Sequence, residues 1–400
     1  MKKILILLSM AIFGALWVLP VFAINENVVV WENMYEIAQS DAERLEVVKK
    51  ITEFKDREFA PVLLSALEDL VSTQIENGPS NEQYARNQLA LLIVRELGEL
   101  KSLEADESVY RVYKEVKEPI LKASAAVALG KMRASSYAKY LSADLASTNL
   151  APIASIARNQ EIIALGLVQS LEAMRDPVGY EAVFLASLSW YSASSRVKET
   201  AKAASLTMVD DPVDSLLVVL EQNPDTDIKI AALETAIASK ASTTKKITIS
   251  AAALRLGLDR LPTDLPGKVA LSKLRNNALI ALARLQDHSP ENVALCIEVV
   301  QRDKKDDASL PETLNSYVAL GVNGSDPAAT FLAEKLTRYN EMQKSDGNTP
   351  RDKTLIRQII TSMEISKNPL VKTSLTQAQF VGHDNGIIRM AEESLSRLKK

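Results

Sequence analysis

A short polar residue followed by proline recurs along this chain at near-constant intervals: Asp176-Pro177, Asp211-Pro212, Ser289-Pro290, Asp326-Pro327 and Asn368-Pro369. The polar side chain can accept a hydrogen bond from the orphan N–H groups of a starting helix. Proline at the next position has no N–H to leave unsatisfied and a preset φ. Each pair therefore predicts a helix start. The Pro-to-Pro spacings are 35, 78, 37 and 42 residues, and the 78 reads as two units, one lacking its proline. Ser135 or Ser136 extends the series upstream. Helix starts repeating at this interval are the mark of an α-solenoid, in which each helix pair buries its apolar face only by stacking on its neighbours.

The surroundings repeat as well. Ala-rich helices precede the starts, at Ala123–Leu129, Ala201–Leu206, Asn277–Leu285 and Tyr317–Leu320. Apolar helices follow, at Val178–Leu188, Val213–Leu220, Val293–Val300 and Ala328–Leu336. Leu271, Leu274, Ala278, Ala281, Leu282 and Leu285 form one stripe at helical spacing. The segment Lys122 to Met132, with Ala128-Leu129-Gly130 near its end, and Ala319-Leu320-Gly321 followed by Ser325-Asp326-Pro327, resemble HEAT repeats of the armadillo type. The resemblance spans about Gln88 to Lys400, and more faintly Ser40 to Val71. It implies an all-α, right-handed α-solenoid of seven to nine stacked helix pairs. The units between Pro212 and Pro290, and near Asp346, depart from the pattern, so a bend or interruption is expected there.

Composition agrees with helices. The chain is 47% hydrophobic but only 5% aromatic, with 13 Gly in 400 residues, and Ala and Leu lose little on entering a helix. No convincing strand follows Glu26. The loops expected between helices include Glu76–Asn81, Asp259–Lys268 and Met342–Arg351. The expected domains are a signal peptide at 1–23, a helical capping region at 24–87 and the repeat array at 88–400.

The amino end predicts export. Lys2 and Lys3 precede an uncharged apolar run, Ile4 to Val18, then Pro20 and Val21-Phe22-Ala23, with cleavage after Ala23. An uncleaved anchor is the rival reading, because Ile4 to Ala23 could just span a bilayer. The short n-region is of bacterial type, so the expected location is the periplasm or beyond, without stable membrane insertion after cleavage. Without Lys2 and Lys3 the charge falls to −6, from −4 for the whole chain. No basic block stands out, which argues against nucleic acid as a partner.

Few residue types fit catalysis. His288 and His383 lie in separate predicted turns and read as solvated. Cys296, the single cysteine, lies on an apolar helix face with Val293, Ile297 and Val300 and reads as core. Asp303, Asp306 and Asp307 lack the alternating ligands and central Gly of a calcium loop, and Asp225-Thr226-Asp227 is shorter still. No phosphate loop or nucleophile elbow is present. No catalytic, cofactor or metal residue is therefore expected. The aromatic pairs Trp31 with Tyr35, and Trp190 with Tyr191, are the candidate partner contacts; Trp31 and Tyr35 also fit a packing role for the first helix, and Trp190-Tyr191, beside Ser189, Ser192 and Ser194, reads as a wet, aromatic turn between helices.

Three functions remain open. The leading one is a non-catalytic scaffold of the cell envelope, because the HEAT resemblance implies a protein or peptide partner on a concave face. The others are a structural part of a larger envelope assembly and a helical-repeat enzyme. Some HEAT-like proteins are lyases that act inside cells, which the export signal contradicts. A deep pocket of converging carboxylates would favour the enzyme, and a large exposed apolar patch the assembly.

Overall fold

The computed structural model describes residues 26–76, 80–260, 262, 264–303 and 309–398. The predicted signal segment, and the charged turn at Asp306 and Asp307, lie outside them. Among the described residues there are twenty α-helices and no strand. They are α1 Glu26–Ile37, α2 Asp41–Phe54, α3 Ala60–Ser72, α4 Ser80–Glu99, α5 Asp106–Glu115, α6 Pro119–Met132 and α7 Ala138–Leu150. Then come α8 Ala157–Met174, α9 Tyr180–Ala186, α10 Val197–Thr207, α11 Val213–Gln222, α12 Thr226–Ala238 and α13 Thr243–Asp259. The last seven are α14 Leu265–Arg284, α15 Val293–Asp303, α16 Leu310–Asn323, α17 Asp326–Ser345, α18 Pro350–Ser366, α19 Lys372–Ala378 and α20 Asn385–Leu398.

The chain forms two compact units. The first comprises residues 26–141 and 153–174, the second 142–152 and 175–398. Helix α4 runs through the boundary expected at residue 87, so the capping region and the array share a helix. In the first unit α1, α3 and α5 each pack on the helix that follows. In the second, α9, α11, α13, α15, α17 and α19 do the same. Those are nine packed pairs, at the top of the expected range. The even-numbered helices also pack on one another in series: α2, α4, α6 and α8 in the first unit, and α10 through α20 in the second. Odd-numbered helices also pack on one another, α3 on α5 in the first unit and α9 through α19 in the second. The series continues through α12 and α13, so the stretch between Pro212 and Pro290 holds a regular unit. Ser242 caps α13 there, accepting from the Lys245 N–H, in place of the missing proline.

The proline device works with local variation. Asp176 and Asn368 accept the N–H two residues on, and Pro177 and Pro369 each open a 3-10 turn that feeds the α-helix. Asp211 accepts from Val213 N at 3.2 Å. At Ser289 the cap role passes to Asp287, which accepts from Ser289 N at 3.0 Å and from the Asn292 amide at 2.8 Å. At Asp326 the frame shifts by one: Ser325 is the N-cap and Asp326 is already helical. An acidic residue in the first turn is still favoured by the helix dipole.

Helix C-termini carry a second recurring device. Lys55, Lys101, Arg133, Arg175 and Lys367 each follow an even-numbered helix with φ between 51° and 57°. At Arg133 the amide of Ala134 reaches back to Leu129 O at 3.1 Å, closing a Schellman turn. A cation at this end suits the helix dipole, although the left-handed backbone favours glycine. Side chains from other helices satisfy further terminal carbonyls. Arg175 donates to Thr207 O and Met208 O of the α10 end, and the buried Lys229 ammonium to Leu220 O of α11.

At several crossings of even-numbered helices a glycine permits the close approach. Gly130 on α6 faces Ser170 on α8 so tightly that a Cβ would lie 2.6 Å from Ser170 Cα. Gly321 on α16 meets Ser362 on α18 in the same way, 2.6 Å from its carbonyl oxygen. Leu129-Gly130 and Leu320-Gly321 are the dipeptides that carried the family resemblance, and the glycine is where backbone meets backbone.

Candidate functional site

The feature of the first unit best suited to holding a partner follows from this packing. Because Gly130 and Gly166 draw α6 and α8 together, Ala123, Ser124, Ala128 and Gly166 make a low floor. Ile120, Val127, Ile162 and Leu165 stand half-exposed along it, Ile120 with 48% of its surface open. The result is an open groove of about 440 Å³ on the even-numbered row. Its charges are already engaged. Lys131 pairs with Glu99, and Arg95 Nε donates to Ser124 Oγ at 3.3 Å. An apolar strip with the Lys131–Glu99 pair at its edge suits an apolar peptide or helix face. A larger hollow of about 600 Å³ lies beside Glu76, whose carboxylate already accepts the N–H groups of Lys117 and Glu118.

The four aromatic candidates separate into two buried and two half-buried residues. Tyr35 is 9% exposed, beneath the Arg44 guanidinium, 5.4 Å from its ring centre. Burial pushes its hydroxyl up to about 12. Trp31 is half-buried with its ring 6.2 Å from that of Phe54, so α1 is fastened to α2 by its aromatic face. Tyr191 is 2% exposed and donates to Asn149 Oδ1 at 2.8 Å. Trp190 Nε1 donates to Thr148 O at 2.9 Å, and Ser189 Oγ to Asn149 O. The expected wet turn at Trp190-Tyr191 is thus corrected. Helix α9 is only seven residues long, and the chain after it lies over the end of α7, satisfying carbonyls that the helix leaves open. The structure leaves open surface on Trp31 and Trp190 and almost none on Tyr35 and Tyr191.

The histidines also divide. His288 is exposed, with Nδ1 3.3 Å from Asn323 O. His383 is 5% exposed, which corrects the solvated reading. Its Nε2 lies 2.8 Å from Asn340 Oδ1, and Asn340 Nδ2 donates to Ser374 O at 3.1 Å. That second bond orients the amide, so Nε2 must carry the proton and Nδ1 is left buried without a partner. Cys296 is buried as expected, and burial, with Asp287 nearby, pushes its thiol up to about 12. Asp225 caps α12 through Asp227 N at 2.8 Å. Among the described residues no three His, Cys, Asp or Glu side chains converge on a metal position.

The residues that sequence reasoning missed are charged ones inside the array. Arg275 on α14 and Glu312 on α16 are 5% and 0% exposed and form an ion pair at 2.7 Å. Arg275 lies within the Leu271–Leu285 stripe, four residues after Leu271 and three before Ala278, where a charge signals a buried partner. No signal marked Glu312 beyond its place three residues after Ser309, the spacing of a capping box.

No protein-family model matches the chain, and no curated protein matches it. Among solved structures the chain is similar to an engineered protein from a structural genomics consortium. The identity is 12%, the match covers 92% of this chain and 99% of the other, and the TM-score is 0.37.

Proposed function

We propose that the chain is a non-catalytic protein-binding scaffold of a bacterial cell envelope, and that it engages its partner through the even-numbered face of the helical array. The α6–α8 groove carries this reading: half-exposed Ile120, Val127, Ile162 and Leu165 on a floor of small residues. Four apolar side chains that could have been buried, held on rigid helices, suit an apolar strip on a protein or peptide. The export signal read from the sequence supports the envelope, and no described helix is long and apolar enough to cross a membrane. The test is crosslinked capture of the tagged full chain from its native envelope, beside Ile120→Asp and Ile162→Ser variants. A stoichiometric protein lost from both variants supports the reading. A protein retained by both, or recovery of the chain alone, counts against it.

A second reading, part of a larger assembly, is favoured by α1. Val30, Met34 and Ile37 form a stripe at helical spacing, exposed by 55%, 43% and 65% among the described residues. Sedimentation of the purified chain as a monomer at tens of micromolar would leave that stripe without a self-contact.

A further inference from the structure

The odd-numbered side of the first unit carries an aromatic cluster that runs from the core, through Tyr113 stacked under Tyr110, out to the surface and lies apart from the groove. Tyr110 on α5 stacks on Tyr137 in the turn before α7, with ring centres 4.2 Å apart and planes 22° from parallel. Tyr140, at the start of α7, lies 5.9 Å from Tyr110 at a tilt of 45° and is 57% exposed. Tyr113 backs the cluster from the core, 0% exposed, beneath the Lys122 ammonium at 4.9 Å. Burial, then the nearby charges of Asp106 and Glu107, hold the Tyr137 hydroxyl above its ordinary range. Asp106 is half-buried and Glu107 exposed, and neither carboxylate has an ion pair or side-chain hydrogen bond among the described residues.

We propose that Tyr110, Tyr137 and Tyr140, with Asp106 and Glu107, form a docking site for an arginine-bearing segment of a protein partner. The charge complementarity is specific. Asp106 and Glu107 lie four and three residues before Tyr110 on α5, on the helix face it shares, and a guanidinium is the side chain that can lie flat on a tyrosine while its edge donates to carboxylate. Lysine offers a compact, strongly hydrated charge and gains less from a ring. An acidic chain attracts a basic segment at long range. Packing does not require Tyr140 to be there, since over half of it is open while Tyr113 fills the core beneath.

The site lies on the other row from the groove, so its test stands apart. The full chain is titrated calorimetrically at low salt with acetyl-Gly-Arg-Gly-Arg-Gly-amide and with the lysine counterpart. The arginine peptide binds and the lysine peptide binds more weakly. Tyr140→Ala and Glu107→Gln each weaken arginine binding by about two- to fivefold, and together by about tenfold. Ile120→Asp in the groove leaves it unchanged. Absence of binding at millimolar peptide, equal binding of the two peptides, or a double variant within about twofold of the native chain overturns the proposal.

Discussion

Removing Glu312 tests whether charge holds three helices of the second unit together. Its Oε2 accepts from Arg275 Nε at 2.7 Å and its Oε1 from Nη2 at 3.3 Å. Oε1 also takes Ser309 Oγ at 3.2 Å and Ser272 Oγ, and Glu312 completes the capping box of α16. Arg275 Nη1 donates to Gly257 O on α13 at 2.9 Å. Gly257 is part of the device, because a Cβ there would stand 2.6 Å from Arg275 Cγ. In Glu312→Ala the guanidinium loses its carboxylate partner in a dry site while its bond to Gly257 O remains. Stranding one partner of a buried pair costs about 3–5 kcal/mol, and losing the cap adds to it. Arg275→Met should cost less, because the stranded carboxylate keeps two serine hydroxyls and the amino end of α16. The double variant Arg275→Met/Glu312→Leu, with no charge left to strand, should recover most of the loss. Urea unfolding followed by helical dichroism measures the total. Repeat arrays can unfold in parts, so hydrogen exchange of α14 and α16 locates the effect. Glu312→Ala within about 1 kcal/mol of the native chain, or additive losses in the double variant, would refute the reasoning.

Other expectations follow from single sites. Gly130→Ala drives a methyl group onto the Ser170 backbone and should lower stability by about 1–3 kcal/mol, read as a shift in urea midpoint. Arg133→Gly relieves a left-handed residue at φ 57° but frees the unfolded chain, so a net gain of up to about 1 kcal/mol is expected, and any loss would contradict the strain argument. His383 is held neutral by burial, with Lys353 nearby acting in the same direction and Asp384 opposing both. Its folded pKa lies below the unfolded value of 6.5. Its contribution is therefore full above pH 6.5 and is lost as pH falls below that value toward the folded pKa. His383→Gln should flatten that part of the stability–pH curve. Cys296 should stay unreactive to a thiol reagent at pH 8 until the chain is unfolded, given its burial and raised pKa.

Much of the local grammar was written in the sequence. Polar-proline pairs start helices through an interaction spanning three residues, so they are legible without knowing the fold, and they placed the α-helix starts to within three residues. Apolar spacing likewise identified the buried face of α14 and the core position of Cys296. The stacking of helix pairs followed because such a face has no other way to leave water. Tertiary structure decided whatever depends on residues distant in the chain. His383 sits in a segment that reads as a turn, yet Asn340, 43 residues earlier, closes over it. Tyr191 looked wet until the end of α7, 42 residues before it, supplied Asn149. Arg275 and Glu312, the α6–α8 groove and the tyrosine cluster all join residues from separate repeats. Periodicity reports which face of a helix turns inward. What that face meets depends on how closely two backbones approach, and at the α6–α8 and α16–α18 crossings a glycine sets that distance.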